Sequence, residues 1–288
     1  MKLLKILTII CFFVSGCDRN NINNQLIVTD KFEVIEKETK NVDTDTLVVF
    51  DCDYVLITFK DQIFSSQYSN ELKECIEKSL AKFPGKNRAE KYENVKGMVL
   101  LSSESMLVDE KMPSLVKNLQ NRGVKTLVLT KMDPGPCGKI KSLIDWRVND
   151  LKRLGLDFSK SFINLNKKEL VELSKENAPV YDKGILATGT ASKGETLAAF
   201  LRYADLNPKK VIFIDDKKKQ IDSVKEAMEK LKIQFVGINY TGEKNVKFDR
   251  PFSKQRLEYQ FKIFQEQGRY LSDAKADEER KKLGLENS

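Results

Sequence analysis

The chain has 288 residues, 50 Lys and Arg against 42 Asp and Glu, a formal net charge of +8, and no histidine. That length suffices for one large domain with insertions, or a domain plus a subdomain, around a sizeable core. The lack of histidine excludes Ser-His-Asp and Cys-His catalysis, His-ligated zinc and phosphohistidine chemistry, leaving carboxylates, Lys, Ser/Thr, Tyr and Cys to carry any reaction. The basic surface suits a soluble protein or an anionic ligand. No compact Arg-rich or basic-aromatic stretch of the kind found in nucleic-acid binders is present, so nucleic acid is not expected as a ligand.

Lys2 and Lys5 precede an apolar run from Ile6 to Val14, followed by Ser15, Gly16 and Cys17. A charged start, an apolar run and small residues make an export signal over residues 1–16. The run is about half the roughly 20 residues that a spanning helix needs, which argues against a permanent transmembrane anchor. "VSGC" resembles the bacterial lipobox, and that resemblance implies lipidation at Cys17. The chain would then be held to a membrane of the bacterial cell envelope by its N-terminal lipid, facing the periplasm or the exterior. Outside this segment only Cys52, Cys75 and Cys137 remain, an odd number without close pairing, expected as packing residues rather than a disulfide framework.

Residues 17–26 are polar and Asn-rich and read as a tether, ahead of a domain over 27–275 and a charged tail over 276–288 that is expected to fray. "LVVF" at 47–50 is a short apolar run suited to a buried parallel strand. From Lys60 to about Gln120 the pattern is helical; Gly123 then stops a helix and "VKTLVLT" at 124–130 makes a second strand. A long amphipathic helix is predicted from Gly138 to near Gly155. Beyond it, "SFINL" and "PVYDKGILATGT" read as strands, the latter a hairpin with Gly184 inside it. "SKGETL" opens a helix with a capping box, Ser192 and Glu195, which puts Lys193 in the first turn. "VIFIDD" is a third strand ending in acids, and "QFVGINYT" a fourth.

Apolar strands alternating with amphipathic helices predict an α/β fold with a doubly wound parallel sheet. In such sheets sites form beyond the carboxyl ends of the strands, where Asp51, Thr130 and Asp215 fall. Strand alternation turns Asp51 and Asp53 to one side and Cys52 to the other. Taken singly, each feature has an ordinary explanation: a D-x-D turn, a strand-end Thr, a surface Lys, a helix-capping "DD". Together, Asp51, Asp53, Asp215 and Asp216 would crowd four acids onto one rim. Like charges that close need a cation, and Mg²⁺ suits an all-oxygen site that also takes phosphate.

"VVFDCDYV", "LVLT", "SKGETL" and "VIFIDD", in this order over roughly residues 45–240, resemble the four motifs of the haloacid dehalogenase superfamily. The stretch 183–216 and "LSD" at 271–273 look most like a group of uncharacterised, often exported bacterial members. The resemblance implies a Rossmannoid core of that type and a Mg²⁺-dependent phosphohydrolase acting on a small phosphorylated substrate, a phosphomonoester. By the same resemblance Asp51 would be the nucleophile, Asp53 the general acid and base, Thr130 a phosphoryl-oxygen donor and Lys193 the balancing charge. Asp51, Asp53 through its backbone carbonyl, Asp215 and Asp216 would hold the metal. Dehalogenation is disfavoured, because Asp53 and the metal acids are superfluous to it. Residues about 60–120 would form a small helical cap inserted after the first strand, and about 160–190 a further insertion. Tyr54 is bulkier than the family's usual residue there, and Val55 replaces a common Thr. If Tyr54 or a cap side chain fills the phosphate position, the chain reads instead as a catalytically silent envelope lipoprotein, a binding or structural module; an open position favours the enzyme.

Overall fold

In the computed structural model, which describes residues 24–285, the chain opens with a strand, β1 (Gln25–Thr29), and a helix, α1 (Phe32–Lys40). Cys17 and the export signal lie outside the described residues. Next come β2 (Thr46–Phe50), β3 (Ile57–Phe59), the helices α2 (Ser69–Leu80) and α3 (Arg88–Ser102), and β4 (Ser105–Leu107). Then α4 (Met112–Asn121), β5 (Lys125–Thr130) and α5 (Leu143–Arg153) lead to three short strands, β6 (Lys168–Glu169), β7 (Val180–Asp182) and β8 (Ile185–Ala187). The chain continues through α6 (Lys193–Tyr203), β9 (Lys210–Asp215), α7 (Lys218–Lys230) and β10 (Gln234–Tyr240), and then α8 (Lys254–Gln267) and α9 (Asp273–Lys282).

Eight strands form one sheet in the order β1-β10-β9-β2-β5-β8-β7-β6. Pairing is parallel from β1 to β8 and antiparallel at β8–β7–β6. Alternation along the central strands sorts the core into two layers. Val48, Phe50, Val128, Ile212 and Ile214 pack on one face with Phe32 and Ile35 of α1, Val116 and Leu119 of α4, and Ile144 and Val148 of α5. Leu47, Val49, Leu127, Leu129 and Phe213 pack on the other with Leu197 and Phe200 of α6 and Ile221 and Val224 of α7. Helices therefore cover both faces of a largely parallel sheet, and the carboxyl ends of β2, β5 and β9 share one rim. No helix among the described residues is long and apolar enough to cross a membrane.

Several local expectations are corrected. β1 starts inside the predicted tether, so the helical insert follows the second strand in the chain, not the first. That insert is not helical throughout: β4 pairs antiparallel with β3, joining its two ends into a ribbon beneath the helices. The helix expected from Gly138 starts at Leu143, because the Ser142 hydroxyl accepts from the Asp145 amide (3.2 Å) and Cys137 and Ile140 are bridged in the preceding turn. "SFINL" is not a strand. Phe158–Ser161 form a 3₁₀ turn instead, whose Ser161 hydroxyl accepts from the Thr126 amide on the edge of β5 (3.0 Å). The predicted insertion at 160–190 ends in β8, which pairs with β5, so it completes the sheet. The hairpin does turn at Gly184, where φ is +82° and a Cβ would lie 2.3 Å from the Phe158 carbonyl oxygen.

The cap is shared with the C-terminus. Phe64, Leu80, Phe83, Val95 and Val99 from the insert form a third apolar cluster with Leu257, Phe261, Phe264 and Tyr270. α9 extends to Lys282, into the segment expected as a fraying tail, with Ala276 buried. A polar joint locks the two parts together. Asp61 Oδ1 accepts from the Asp273 amide (2.9 Å), and Asp273 in turn is paired with Arg256 (3.1 Å).

Asp61 sits in this joint with Oδ2 buried and unpartnered. Burial, together with the nearby Asp273, pushes its pKa up to about 7. A carboxyl raised in the folded state contributes stability that is fully present below its unfolded pKa and is lost as pH rises toward about 7. Asp61→Asn should therefore flatten the pH dependence: the variant gains on the wild type by on the order of 3 kcal/mol between about pH 5 and about pH 8 in urea unfolding. Parallel pH profiles for the two proteins would show that Asp61 does not titrate in this range.

Candidate active site

β2 ends at Phe50, and the ladder carries one residue further: the Asp51 amide donates to the Ile214 carbonyl (2.8 Å). That fixes Asp51 beside the end of β9. The chain then turns sharply. The amides of Leu56 and Ile57 both donate to the Cys52 carbonyl, and the Tyr54 amide to the Ile57 carbonyl (2.7 Å). Tyr54 takes φ +66°, a conformation uncommon for a bulky side chain that costs on the order of 1 kcal/mol. Its hydroxyl donates to the Phe64 carbonyl (3.0 Å) at the base of the cap, so the ring lines the wall of the cleft. Cys52 is buried among the apolar residues of the α1/α4/α5 face, as a packing residue.

Lys193 is delivered from the opposite direction. The Ser192 capping box starts α6, and Gly194 lets α6 close on α7: a Cβ there would lie 2.1 Å from the Ser223 carbonyl oxygen. The Lys193 side chain is buried, and its Nζ is 2.7 Å from Asp51 Oδ1 and 2.7 Å from Asp215 Oδ2. Burial works against its charge, but the two carboxylates outweigh that and hold its pKa above the usual lysine value. Asp215 Oδ1 accepts from the Lys217 amide (2.8 Å), and Asn239 of β10 donates to the carbonyls of Asp215 (3.2 Å) and Asp216 (2.8 Å). Asn239, unremarked in the sequence, thus pins the acidic turn. Thr130, the last residue of β5, is buried and lines the same cleft.

Carboxylate oxygens of Asp51, Asp215 and Asp216 lie within 4.8 Å of one another. Burial pushes the Asp51 carboxyl up to about 7 and Asp216 up to about 6, and raises Asp215 as well, with Lys193 opposing the shift in each. Lys193, with Lys217 beside Asp216, faces three acids, and Asp216 Oδ1 is buried with no hydrogen-bond partner. A hard divalent cation answers both the surplus charge and the orphaned oxygen, so these residues fit one.

The Asp53 carboxylate is not in this group. It is turned to Arg147 of α5, whose Nη2 is 2.9 Å away, so only the backbone carbonyl of Asp53 is left for the metal expected there. Arg147 is the main residue that sequence reading missed. Its side chain is buried, it also bonds Asp150 (3.3 Å), and its guanidinium lies 4.8 Å from the Trp146 ring centre. Burial opposes its charge while Asp53 and Asp150 hold it protonated. The available signal was its position. Ile144, Arg147, Val148 and Leu151 all fall on the buried face of α5, and a charged residue on such a face calls for a partner.

Asp51, Asp53, Tyr54 and Thr130 open onto a cleft of about 240 Å³, walled also by Phe59, Leu100, Trp146 and Arg147. Lys217 reaches it as well, whereas Lys218 pairs with Asp222 (2.6 Å) on the exposed side of α7.

Among known proteins, an uncharacterized protein of Rickettsia prowazekii (strain Madrid E) is 28% identical over 210 residues, covering 72% of this chain and 74% of the relative. An uncharacterized protein of Rickettsia bellii (strain RML369-C) is 24% identical over 251 residues, 84% of each chain. A solved haloacid dehalogenase-like family hydrolase of Streptococcus pneumoniae aligns over 67% of this chain and 93% of its own, with 13% identity and a TM-score of 0.36. Residues 28–277 match the family described as "Protein of unknown function (DUF2608)", and the chain belongs to that family.

Proposed function

We propose that this chain is a phosphomonoester hydrolase of the haloacid dehalogenase type that works through an aspartyl phosphate on Asp51. The observation that carries the reading is Lys193, buried and bonded at 2.7 Å to both Asp51 and Asp215 on adjacent strand ends. Lys193 holds Asp51 ready for attack and offsets charge gathering on a phosphoryl group. Asp53, turned from Arg147 and protonated, gives its proton to the departing alkoxide as an Asp51 oxygen bonds to phosphorus and the ester P–O bond breaks. Asp53 then accepts a proton from water, the water oxygen bonds to phosphorus, and the bond to Asp51 breaks to release inorganic phosphate. Arg147 receives the Asp53 carboxylate once its proton has gone, and Thr130 would donate to a phosphoryl oxygen.

Asp51, Asp215 and Asp216, with the Asp53 carbonyl, would hold Mg²⁺, which when bound supplies charge neutralisation to the phosphoryl oxygens. The cleft beside Asp51 is open, with Tyr54 on its wall, which supports turnover over a silent binding module. The cap of α2, α3 and α8 would screen the cleft from water. Lipidation at Cys17 would place this activity at the bacterial envelope.

The test is release of inorganic phosphate by the purified full chain from a panel of phosphate esters. Release should require Mg²⁺, stop with chelator and resume on adding the metal back. Saturating Mg²⁺ should also raise the unfolding temperature, since a ligand at 100 times its Kd stabilises by about 2.7 kcal/mol. Neither turnover nor metal stabilisation would favour the binding module.

A further inference from the structure

We propose that the cleft selects phosphomonoesters whose alcohol portion carries a single planar ring, and that the ring lies on Trp146. The inference rests on the phosphohydrolase reading and deepens it by naming the substrate class. Asp51 and Thr130 lie at the strand ends, Lys96, Lys131 and Lys217 add positive charge to the lining, and Phe59, Leu100 and Trp146 give the cleft apolar surface. The Lys131 ammonium donates to the carbonyls of Gly189, Thr190 and Ala191, and no carboxylate pairs with it among the described residues. Its charge is left for an anion.

Trp146 is the only tryptophan of the chain, is half-buried, and lies one residue from the Arg147 that orients Asp53. Arg147 is itself fixed by Asp53 and Asp150, so the indole has a rigid cation over its ring, and both side chains line the cleft. A large flat side chain held this way is a preorganised platform, and binding to it costs little ordering. The same arginine thereby links the platform to the group that protonates the leaving oxygen. Size limits the occupant: at about 240 Å³ the cleft is smaller than the roughly 300–1,000 Å³ usual for drug-sized ligands. One ring and a phosphate suit it better than a dinucleotide or a folded phosphoprotein.

The experiment compares phenyl phosphate, a nucleoside 5′-monophosphate and glycerol 2-phosphate as substrates of the full chain with Mg²⁺. A ring-bearing ester is expected to have a kcat/KM roughly tenfold or more above that of glycerol 2-phosphate. Preference for phenyl phosphate alone assigns an aryl ester; matching preference for the nucleotide assigns a nucleoside monophosphate. Trp146→Ala should lower kcat/KM for the ring esters about tenfold more than for glycerol 2-phosphate, and Trp146→Phe should restore most of that difference. Because Trp146 also packs against Leu143 and Cys137, a second readout keeps the native side chain. In Asp51→Asn, Trp146 fluorescence should be quenched saturably by phenyl phosphate and not by inorganic phosphate or glycerol 2-phosphate. Turnover without ring preference, or fluorescence indifferent to phenyl phosphate, overturns the proposal while leaving the phosphohydrolase reading standing. If no ester is turned over, that reading fails, and the fluorescence titration still decides whether a ring binds here.

Discussion

Asp51→Asn is expected to abolish phosphate release, by roughly 10³-fold or more, while leaving the protein at least as stable as the wild type. The amide is nearly isosteric with the carboxylate, so the bond from the Cys52 amide to Oδ1 (2.7 Å) and the packing around it are retained. What disappears is the attacking oxygen. The stability half follows from the charges: Asp51 is buried, its carboxyl is pushed up to about 7 by that burial, and Asp215 repels it. Replacing it by a neutral group removes a buried charge yet leaves Lys193 paired with Asp215 at 2.7 Å, so no orphaned ion is created. Phosphate-release assays and thermal unfolding on the same preparations check both halves. Undiminished turnover would end the nucleophile assignment, and a loss of several kcal/mol would make Asp51 a structural residue instead.

The strand-end acids were legible in the sequence because each stands where an apolar run stops, and parallel sheets bring such ends to one rim. Asp51, Thr130, Asp215 and Asp216 could be placed that way without coordinates, and Lys193 by the capping box that opens its helix. Arg147 and Asn239 could not, since each serves the site through a partner distant in sequence: Asp53 is 94 residues away from Arg147, and Asn239 holds carbonyls that no side-chain pattern advertises. The edges of the sheet were harder to read for a related reason. β1 is an edge strand with Leu26 46% and Val28 71% exposed, and its apolar run of three residues follows a polar, Asn-rich stretch, so it carries a weaker signal than the longer buried runs of β2 and β9. β6 has two residues and β4 three, too few to show a period at all. The cap was half legible: its helices in the insert show amphipathic spacing, but their partner α8 lies about 150 to 200 residues downstream, and pairing over such a distance leaves no local mark.

Lys193→Met should be the most damaging single change, costing about 3–5 kcal/mol of stability and bringing phosphate release below detection. Methionine fills nearly the same volume, so packing in the first turn of α6 is largely kept and the loss reports charge rather than a cavity. Without the ammonium, Asp51 and Asp215 face each other buried and unneutralised, with Asp216 beside them. Two rescues separate this cause from ordinary misfolding. Mg²⁺ should restore part of the stability of Lys193→Met, because a cation among the same oxygens takes over part of the missing charge; it should not restore turnover, since the contact from Nζ to Asp51 is gone. Adding Asp51→Asn to Lys193→Met should also recover stability, by more than Asp51→Asn gains in the wild type, because only one of the facing carboxylates can then ionise. The cycle is read by urea unfolding with and without the metal. If the two substitutions instead add, each costing what it costs alone, the lysine and the aspartate do not act on one another and the charge-balanced centre proposed for this fold falls with them.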